Sequence, residues 1–317
     1  MRNVIFTLLF LMCTCYSLFG QRIRFYNSND GLSSSLVRNI ESDANGYIWV
    51  ATDNGLSRYD GFGFVPFRHS DNDSLSVSSD VVNVIFSDSQ EHSWVGTTVG
   101  LQRFDPASSQ FVPFDLQCPA DNRGNHYVFS VSEYTQSNLL LVSVSGWGIM
   151  AYKMDSYEPD TIMVNWLNSA IGNNFPGMLK VDNKNKLWVY SEMGPFFMID
   201  IESRCVVDYY KKLKEVTGIE NIRVSTLAEM ENGNILVGCY TNGIFEINRT
   251  LKTVRRVFSP DELENPVKVI KKDSSGRMWI GLDGGGLRIL DEESMTLSIP
   301  TFQLRTSRSN SPPPGNT

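Results

Sequence analysis

Trp49-Val-Ala-Thr-Asp-Asn-Gly55-Leu-Ser-Arg-Tyr59-Asp60 is followed, 45 residues on, by Trp94-Val-Gly-Thr-Thr-Val-Gly100-Leu-Gln-Arg-Phe104-Asp105. A third copy, Trp279-Ile-Gly-Leu-Asp-Gly-Gly-Gly286-Leu-Arg-Ile-Leu290-Asp291, adds one residue before its last glycine. Aligning on the Trp, or on the Leu that replaces it, gives six copies anchored at Trp49, Trp94, Leu141, Trp188, Leu236 and Trp279. Their spacings are 45, 47, 47, 48 and 43 residues. A period of that size marks a modular array, here of propeller blades.

Each copy reads as four short strands. Six residues before the anchor stands an acid in four copies (Asp43, Asp88, Asp182, Asp273), and Gly46, Gly233 and Gly276 stand three before it. Such a pair makes a tight turn, because Asp bonds its own backbone and Gly tolerates positive φ. Two residues after the anchor the side chain is small (Ala51, Gly96, Ser143, Gly238, Gly281), with Tyr190 the exception. Small residues suit strands that crowd near an axis. A glycine six or seven residues after the anchor turns the chain into the next strand. Val37–Ile40, Val81–Phe86 and Val267–Ile270 read as upstream strands, and Phe64-Val-Pro-Phe67 returns verbatim downstream as Phe111-Val-Pro-Phe114. Four short alternating strands joined by polar turns make one blade, and blades must stack to bury both faces. The expected fold is all-β: a propeller of four-stranded antiparallel blades with six repeats visible.

The pattern Asp-x-x-Gly-x-Ile-Trp-Val-Ala/Gly-Thr-x-x-Gly-Leu-x-Arg-Tyr/Phe-Asp resembles the two-component regulator propeller repeat. Copies one, two and six match it closely, five fairly, three and four weakly. Asn29-Asp-Gly-Leu-Ser33 and Asn72-Asp-Ser-Leu-Ser76 are similar to that family's inter-blade linker. The likeness runs over about residues 22 to 300. It implies the periplasmic ligand-sensing region of a hybrid histidine kinase of Bacteroidetes-type bacteria, an oligosaccharide as ligand, and a homodimer in the intact family.

Composition bounds the remaining classes. The 317 residues carry a net charge of −7 with 41% hydrophobic side chains, without the basic stripe that nucleic acid needs. Arg2 followed by the apolar run Val4–Phe19, with Gln21 after Gly20, reads as a signal peptide over residues 1–20. The run is shorter than the roughly 20 residues of a spanning helix. An uncleaved anchor, or lipidation at Cys13 or Cys15, is the alternative; Met12 is large for a lipoprotein site. The mature chain then has no membrane span, a periplasmic location, and three cysteines, Cys118, Cys205 and Cys239. Three exclude a disulfide framework, and Cys205 with Cys239 is the one pairing to test.

The propeller is assigned to residues 21–302, and the polar, Pro-rich residues 303–317 read as a disordered tail. Ile23–Tyr26 correspond to an outermost strand that would complete a last blade, yet Thr296–Ile299 give copy six its own fourth strand. An incomplete seven-bladed ring follows, from a truncated product; a self-sufficient six-bladed ring is the alternative.

No enzymatic motif stands out. His69, His92 and His126 lie in or beside predicted loops, so a kinase phosphoacceptor on a helix is not indicated. Gly281-Leu-Asp-Gly-Gly-Gly286 falls at a strand-to-strand turn where other copies carry glycine as well. Asp71-x-Asp73 lacks the bidentate acid of a calcium loop. No catalytic residue, metal site or cofactor is expected. The candidate ligand face is formed by loops between second and third strands: Asp53, Asn54, Trp147, Glu192, Tyr240, Asn242 and Asp283, with Thr98 and Ser145 beside them. Trp166 and Phe175, in the longest insertion, are placed on the same face. Aromatic rings beside amides and carboxylates suit a sugar. The rival readings are a propeller glycosidase or polysaccharide lyase, needing converging carboxylates or an Arg/His/Tyr cluster, and a protein-interaction propeller with a broad apolar or charged face.

Overall fold

The alternation of inward and outward side chains in each copy folds into an antiparallel sheet, and six such sheets follow one another as blades. The computed structural model describes residues 22–118, 126–172, 177–192, 194, 196–301 and 303–304. Blade one is β1 (Val37–Ser42), β2 (Ile48–Thr52), β3 (Gly55–Tyr59) and β4 (Phe64–Phe67). Blade two is β5 (Val82–Ser87), β6 (Ser93–Thr97), β7 (Leu101–Asp105) and β8 (Gln110–Phe114). Blade three is β9 (Val128–Tyr134), β10 (Leu139–Val144) and β11 (Gly148–Lys153). Blade four is β12 (Met178–Val181), β13 (Leu187–Tyr190), β14 (Phe196–Asp200) and β15 (Cys205–Asp208). Blade five is β16 (Val224–Glu229), β17 (Ile235–Cys239), β18 (Gly243–Asn248) and β19 (Thr253–Phe258). Blade six is β20 (Val267–Lys272), β21 (Met278–Leu282), β22 (Gly286–Asp291) and β23 (Thr296–Ser298). Within each sheet the strands pair in chain order.

The turn between first and second strands is built as its composition suggests, with an added bond. In blade two, Asp88 Oδ1 accepts from the N–H groups of Gln90 (3.0 Å) and His92 (2.8 Å). Its Oδ2 accepts from the indole Nε1–H of Trp94 at 2.8 Å. The same indole bond joins Asp43 to Trp49 (2.8 Å), Asp182 to Trp188 (2.7 Å) and Asp273 to Trp279 (2.7 Å). The four acids expected as turn caps are turn caps, and each also satisfies an indole N–H.

The hydrophobic core lies between blades, in five clusters, one per pair of successive blades. Trp49, Ala51 and Leu56 of blade one pack on Ile85, Val95 and Phe104 of blade two, and the pattern recurs around the ring. The anchors Trp49, Trp94, Leu141, Trp188 and Leu236 are at most 1% exposed. The small residue two positions later is enforced by the next blade. A Cβ on Gly96 would stand 2.6 Å from Val128 Cγ1 of blade three, and one on Gly238 2.7 Å from Val267 Cγ1 of blade six. Pro66 and Pro113 sit in the outer strands β4 and β8, where a missing N–H faces no neighbour and blunts the edge.

The structure departs from the repeat pattern and its expectations in four places. Blade three has three strands, not four: after Lys153 the chain makes one isolated bridge, Tyr152 to Pro159, and then enters helix α1 (Thr161–Ala170), capped by Asp160. Pro159 brings no N–H for a longer ladder. The Asn168 side chain takes over the edge, its Oδ1 accepting from Ile149 N–H (2.8 Å) and its Nδ2 donating to Ile149 O (3.1 Å). Secondly, the linkers between blades contain helices, which the strand repeat does not announce. Besides α1 these are α2 (Tyr209–Thr217), capped by Asp208 and ended by Gly218 at φ 67°, and α3 (Pro260–Leu263) with a Ser259/Glu262 capping box. Thirdly, Cys205 and Cys239 are not paired. Cys239 is buried, which pushes its thiol up to about 12, whereas Cys205 is exposed. Finally, Ile23–Tyr26 do not form a blade's outer strand. The described residues divide into the propeller, Asn27–Ser298, and a separate unit in which Arg22–Ile23 pairs in parallel with Gln303–Leu304. The leader and the tail from 305 onward lie outside the described residues.

Asp88→Ala strands a buried indole N–H and two turn amides, and is expected to lower unfolding free energy by roughly 3 kcal/mol. Trp94→Phe removes the donor, so in the double variant the two costs should fall short of additivity by about 1–2 kcal/mol. Urea unfolding of the four proteins of the cycle measures both; strict additivity would mean that the bond carries no stability.

Candidate functional site

The loops from second to third strand gather at one end of the propeller. Their fourth residue after each anchor is Asp53, Thr98, Ser145, Glu192, Tyr240 and Asp283. Backbone bonds tie these loops to the chain just before the first strand of the same blade. Asp53 N donates to Leu36 O, Ser145 N to Tyr127 O, Tyr240 N to Arg223 O and Asp283 N to Pro266 O, at 2.7–3.3 Å. Two rings of residues, the loop tips and the starts of the inner strands, therefore border one mouth.

Across blades four to six the mouth carries a continuous polar ladder. Glu192 Oε2 accepts from Arg223 Nη2 at 2.8 Å. The Arg223 guanidinium carbon lies 4.6 Å from the centre of the Tyr240 ring, and Lys268 Nζ lies 4.5 Å from the same ring. The Tyr240 hydroxyl donates to Asp283 Oδ2 at 2.8 Å, and Lys268 Nζ stands 3.7 Å from that oxygen. Three residues picked out by sequence, on three blades, are thus brought into one network. The two cations that join them were missed. Arg223 and Pro266 each stand thirteen residues before an anchor, so reading that column alongside the loop tips would have shown Arg223 facing the mouth. Each carboxylate faces a cation, Glu192 the Arg223 guanidinium and Asp283 the Lys268 ammonium.

Blades one to three supply the other side. Tyr127 and Phe129 form a half-buried tilted ring pair with centres 4.3 Å apart, and Tyr127 OH donates to Asn83 Oδ1 at 3.0 Å. Asn83 Nδ2 in turn donates to Val128 O at 3.0 Å. Ser79 Oγ and Thr98 Oγ1 are 2.9 Å apart. Asp53 Oδ1 is shielded from solvent with no hydrogen-bond partner among the described residues. Asn54 is exposed, its N–H donating to Thr52 Oγ1 at 3.1 Å.

Other candidates stand apart from this surface. Trp147 is 9% exposed and packs in the cluster between blades two and three, so its ring is not presented to solvent. Asn242 is likewise 9% exposed, at the start of β18. Trp166 lies on α1 beneath the Arg204 guanidinium, 4.3 Å from its ring centre. Arg204 belongs to the turn between β14 and β15, which faces the opposite end from the mouth. Phe175 lies outside the described residues. Among the described residues no three His, Cys, Asp or Glu side chains are placed to hold a metal ion.

Arg223 and Glu192 are about two-fifths exposed, so water screens their pairing. Arg223→Ala is expected to change unfolding free energy by less than about 1 kcal/mol, the scale of an exposed ion pair plus a cation–π contact. A loss of several kcal/mol in urea unfolding would instead make the ladder a structural brace.

Comparison with known proteins agrees with the repeat and the fold. Residues 31–54 match the model of the two component regulator propeller family. A segment of 82 residues is 37% identical to "Histidine kinase P4" of Formosa agariphila, covering 24% of this chain and 6% of that protein. Among solved structures, the extracellular domain of a B. thetaiotaomicron protein described as a hybrid two component system superposes with a TM-score of 0.69 at 20% identity. That match covers 86% of this chain and 36% of the other. A catalytically inactive virginiamycin B lyase from Staphylococcus aureus superposes at 0.60 with 11% identity, covering 88% of this chain and 86% of the lyase. The chain thus spans little more than a third of the first of these structures and nearly all of the lyase. Residues 31–54 thus carry the two-component regulator propeller repeat, and the chain has the propeller fold seen in the extracellular domains of B. thetaiotaomicron two-component systems.

Proposed function

We propose that this propeller is an exported, non-catalytic ligand-sensing domain of the kind that feeds a hybrid two-component histidine kinase, and that it takes an oligosaccharide at the mouth. The mouth's composition carries the reading. A half-buried Tyr127–Phe129 pair beside the Asn83 amide faces a ladder of fixed donors and acceptors, Arg223, Lys268, Glu192 and Asp283. Sugars need such a combination, a flat apolar surface for the C–H face of the ring and oriented polar groups for the hydroxyls. Tyr240, chosen for stacking, serves differently: two cations cover its ring and its hydroxyl is engaged, so it orders the ladder.

The apolar leader and the extracellular setting of the structural relatives support export. No helix among the described residues is long and apolar enough to cross a membrane. A homodimer is proposed on the resemblance alone. The enzyme reading draws on the lyase likeness, which is one of fold.

The test is calorimetric titration of the whole chain with plant and host oligosaccharides, each mixture then being chromatographed for cleavage products. Binding without turnover, weakened at least roughly tenfold by Tyr127→Ala, is expected, since a stacked ring contributes on the order of 1.4 kcal/mol or more. Cleavage of a bound glycan would replace the sensor reading with the enzymatic one.

A further inference from the structure

The chain carries a net charge of −7, but the charge is unevenly placed. Residues 209–216 and 249–256 together hold seven cations against a single acid, Glu215. The fold brings the two stretches side by side. Helix α2 packs on β19 through Tyr209, Leu213 and Val254, and Lys212 Nζ donates to Lys252 O of the β18–β19 turn at 3.0 Å. Three of the seven are committed to ion pairs: Lys214 with Glu220, Arg249 with Asp182 and Glu229, and Arg255 with Glu246. Lys211, Lys212, Lys252 and Arg256 have no carboxylate partner among the described residues. Arg256 stands two residues beyond Val254 and so shares the α2 side of β19, over the Phe245 ring at 5.3 Å. Two aliphatic side chains project from this basic field. Leu251, at the tip of the turn, is 70% exposed, and Val216, one helical turn beyond Lys212, is 56% exposed. The tip is fixed in advance, because Asn248 Oδ1 accepts from the N–H groups of Thr250 (3.1 Å) and Leu251 (2.9 Å).

We infer that this patch, built by α2 and the β18–β19 turn, is a docking surface for an anionic phospholipid bilayer. The four cations without carboxylate partners supply a salt-sensitive attraction to lipid phosphates. Leu251 and Val216 supply apolar surface that gains by leaving water for the boundary between headgroups and acyl chains. The long stems of Lys211, Lys212 and Lys252 let their ammonium groups stay at headgroup level while the aliphatic tips go deeper. A nucleic acid or an anionic glycan would engage the same cations and leave both tips in water. Glu215 is the one charge of the patch that opposes the contact. Charge elsewhere selects the orientation: residues 27–115, spanning blades one and two, hold twelve acids and four cations, so an anionic surface repels that side of the ring. The β18–β19 turn lies at the end opposite the mouth, and docking through Leu251 therefore leaves the mouth open to solvent. The inference does not depend on which ligand the mouth takes.

The test is flotation of the full chain with vesicles of phosphatidylcholine, alone or with about 30% phosphatidylglycerol. Binding at least roughly tenfold stronger to the anionic vesicles, and falling steeply between about 0.1 and 0.5 M salt, is expected. Lys211→Gln with Lys252→Gln, and separately Leu251→Ser with Val216→Ser, should each weaken it roughly tenfold. Arg38→Gln with Lys153→Gln, the same change of charge elsewhere, should not. All six side chains are exposed, so urea unfolding of the variants should match that of the parent. Equal binding to both vesicles overturns the proposal. So does binding that neither patch variant weakens, as insertion of the apolar leader would give. Retention on heparin without vesicle binding, lost in the lysine variant alone, overturns it in favour of a soluble polyanion.

Discussion

The structure depends on one bond, the aspartate-to-indole contact that closes the first turn of a blade. A tryptophan fills the space between blades well, but its N–H must be satisfied when the ring is withdrawn from water. One carboxylate does this while its other oxygen holds the turn amides, so the turn's shape and the anchor's position are fixed together. In blades three and five the anchor is Leu141 or Leu236, which has no N–H to satisfy, and Thr135 and Met230 stand where the acid would be. The acid travels with the tryptophan. Asp273 shows the electrostatic side of the arrangement: bonds from Ser275 and then Trp279 hold its carboxyl well below the usual range. Its contribution to stability is therefore complete above the unfolded carboxylate range and is lost only as the pH falls through the depressed folded value.

This covariation was open to reading in the sequence. The fold was legible because a propeller repeats its local rules: turn acid, buried anchor, small residue, turn glycine. Legibility failed where the rules are replaced by unique solutions. In blade three the fourth strand gives way to Pro159 and a helix whose Asn168 mimics a strand partner, and no period announces a single amide. The helices α1 and α2 carry side-chain caps, Asp160 and Asp208, of the ordinary kind. The repeat does not announce them, because they lie in linkers outside its period. Cysteine pairing is not legible in spacing alone: Cys205 is exposed and Cys239 buried.

The site was half legible. Register alone placed Glu192, Tyr240 and Asp283 at one mouth, because every second-to-third-strand loop must reach the same end. What register does not give is which neighbours the side chains choose. Arg223, just before the first strand of blade five, and Lys268, in the first strand of blade six, decide that Tyr240 is an ordering element, while Trp147 turns inward. The Tyr127–Phe129 pair escaped notice because it belongs to a weakly matching copy. Fold and repeat thus confine the search to a mouth, and individual contacts define its chemistry.

The most direct test of this account is native-state hydrogen exchange at the indole Nε1–H groups, read by NMR on protein labelled with 15N-tryptophan. Trp49, Trp94 and Trp188, each buried and each bonded to its aspartate, are expected to exchange only through global unfolding and to share one free energy of opening. Exchange of any of the three at rates near those of a free indole would contradict the claim that this bond organises the blade.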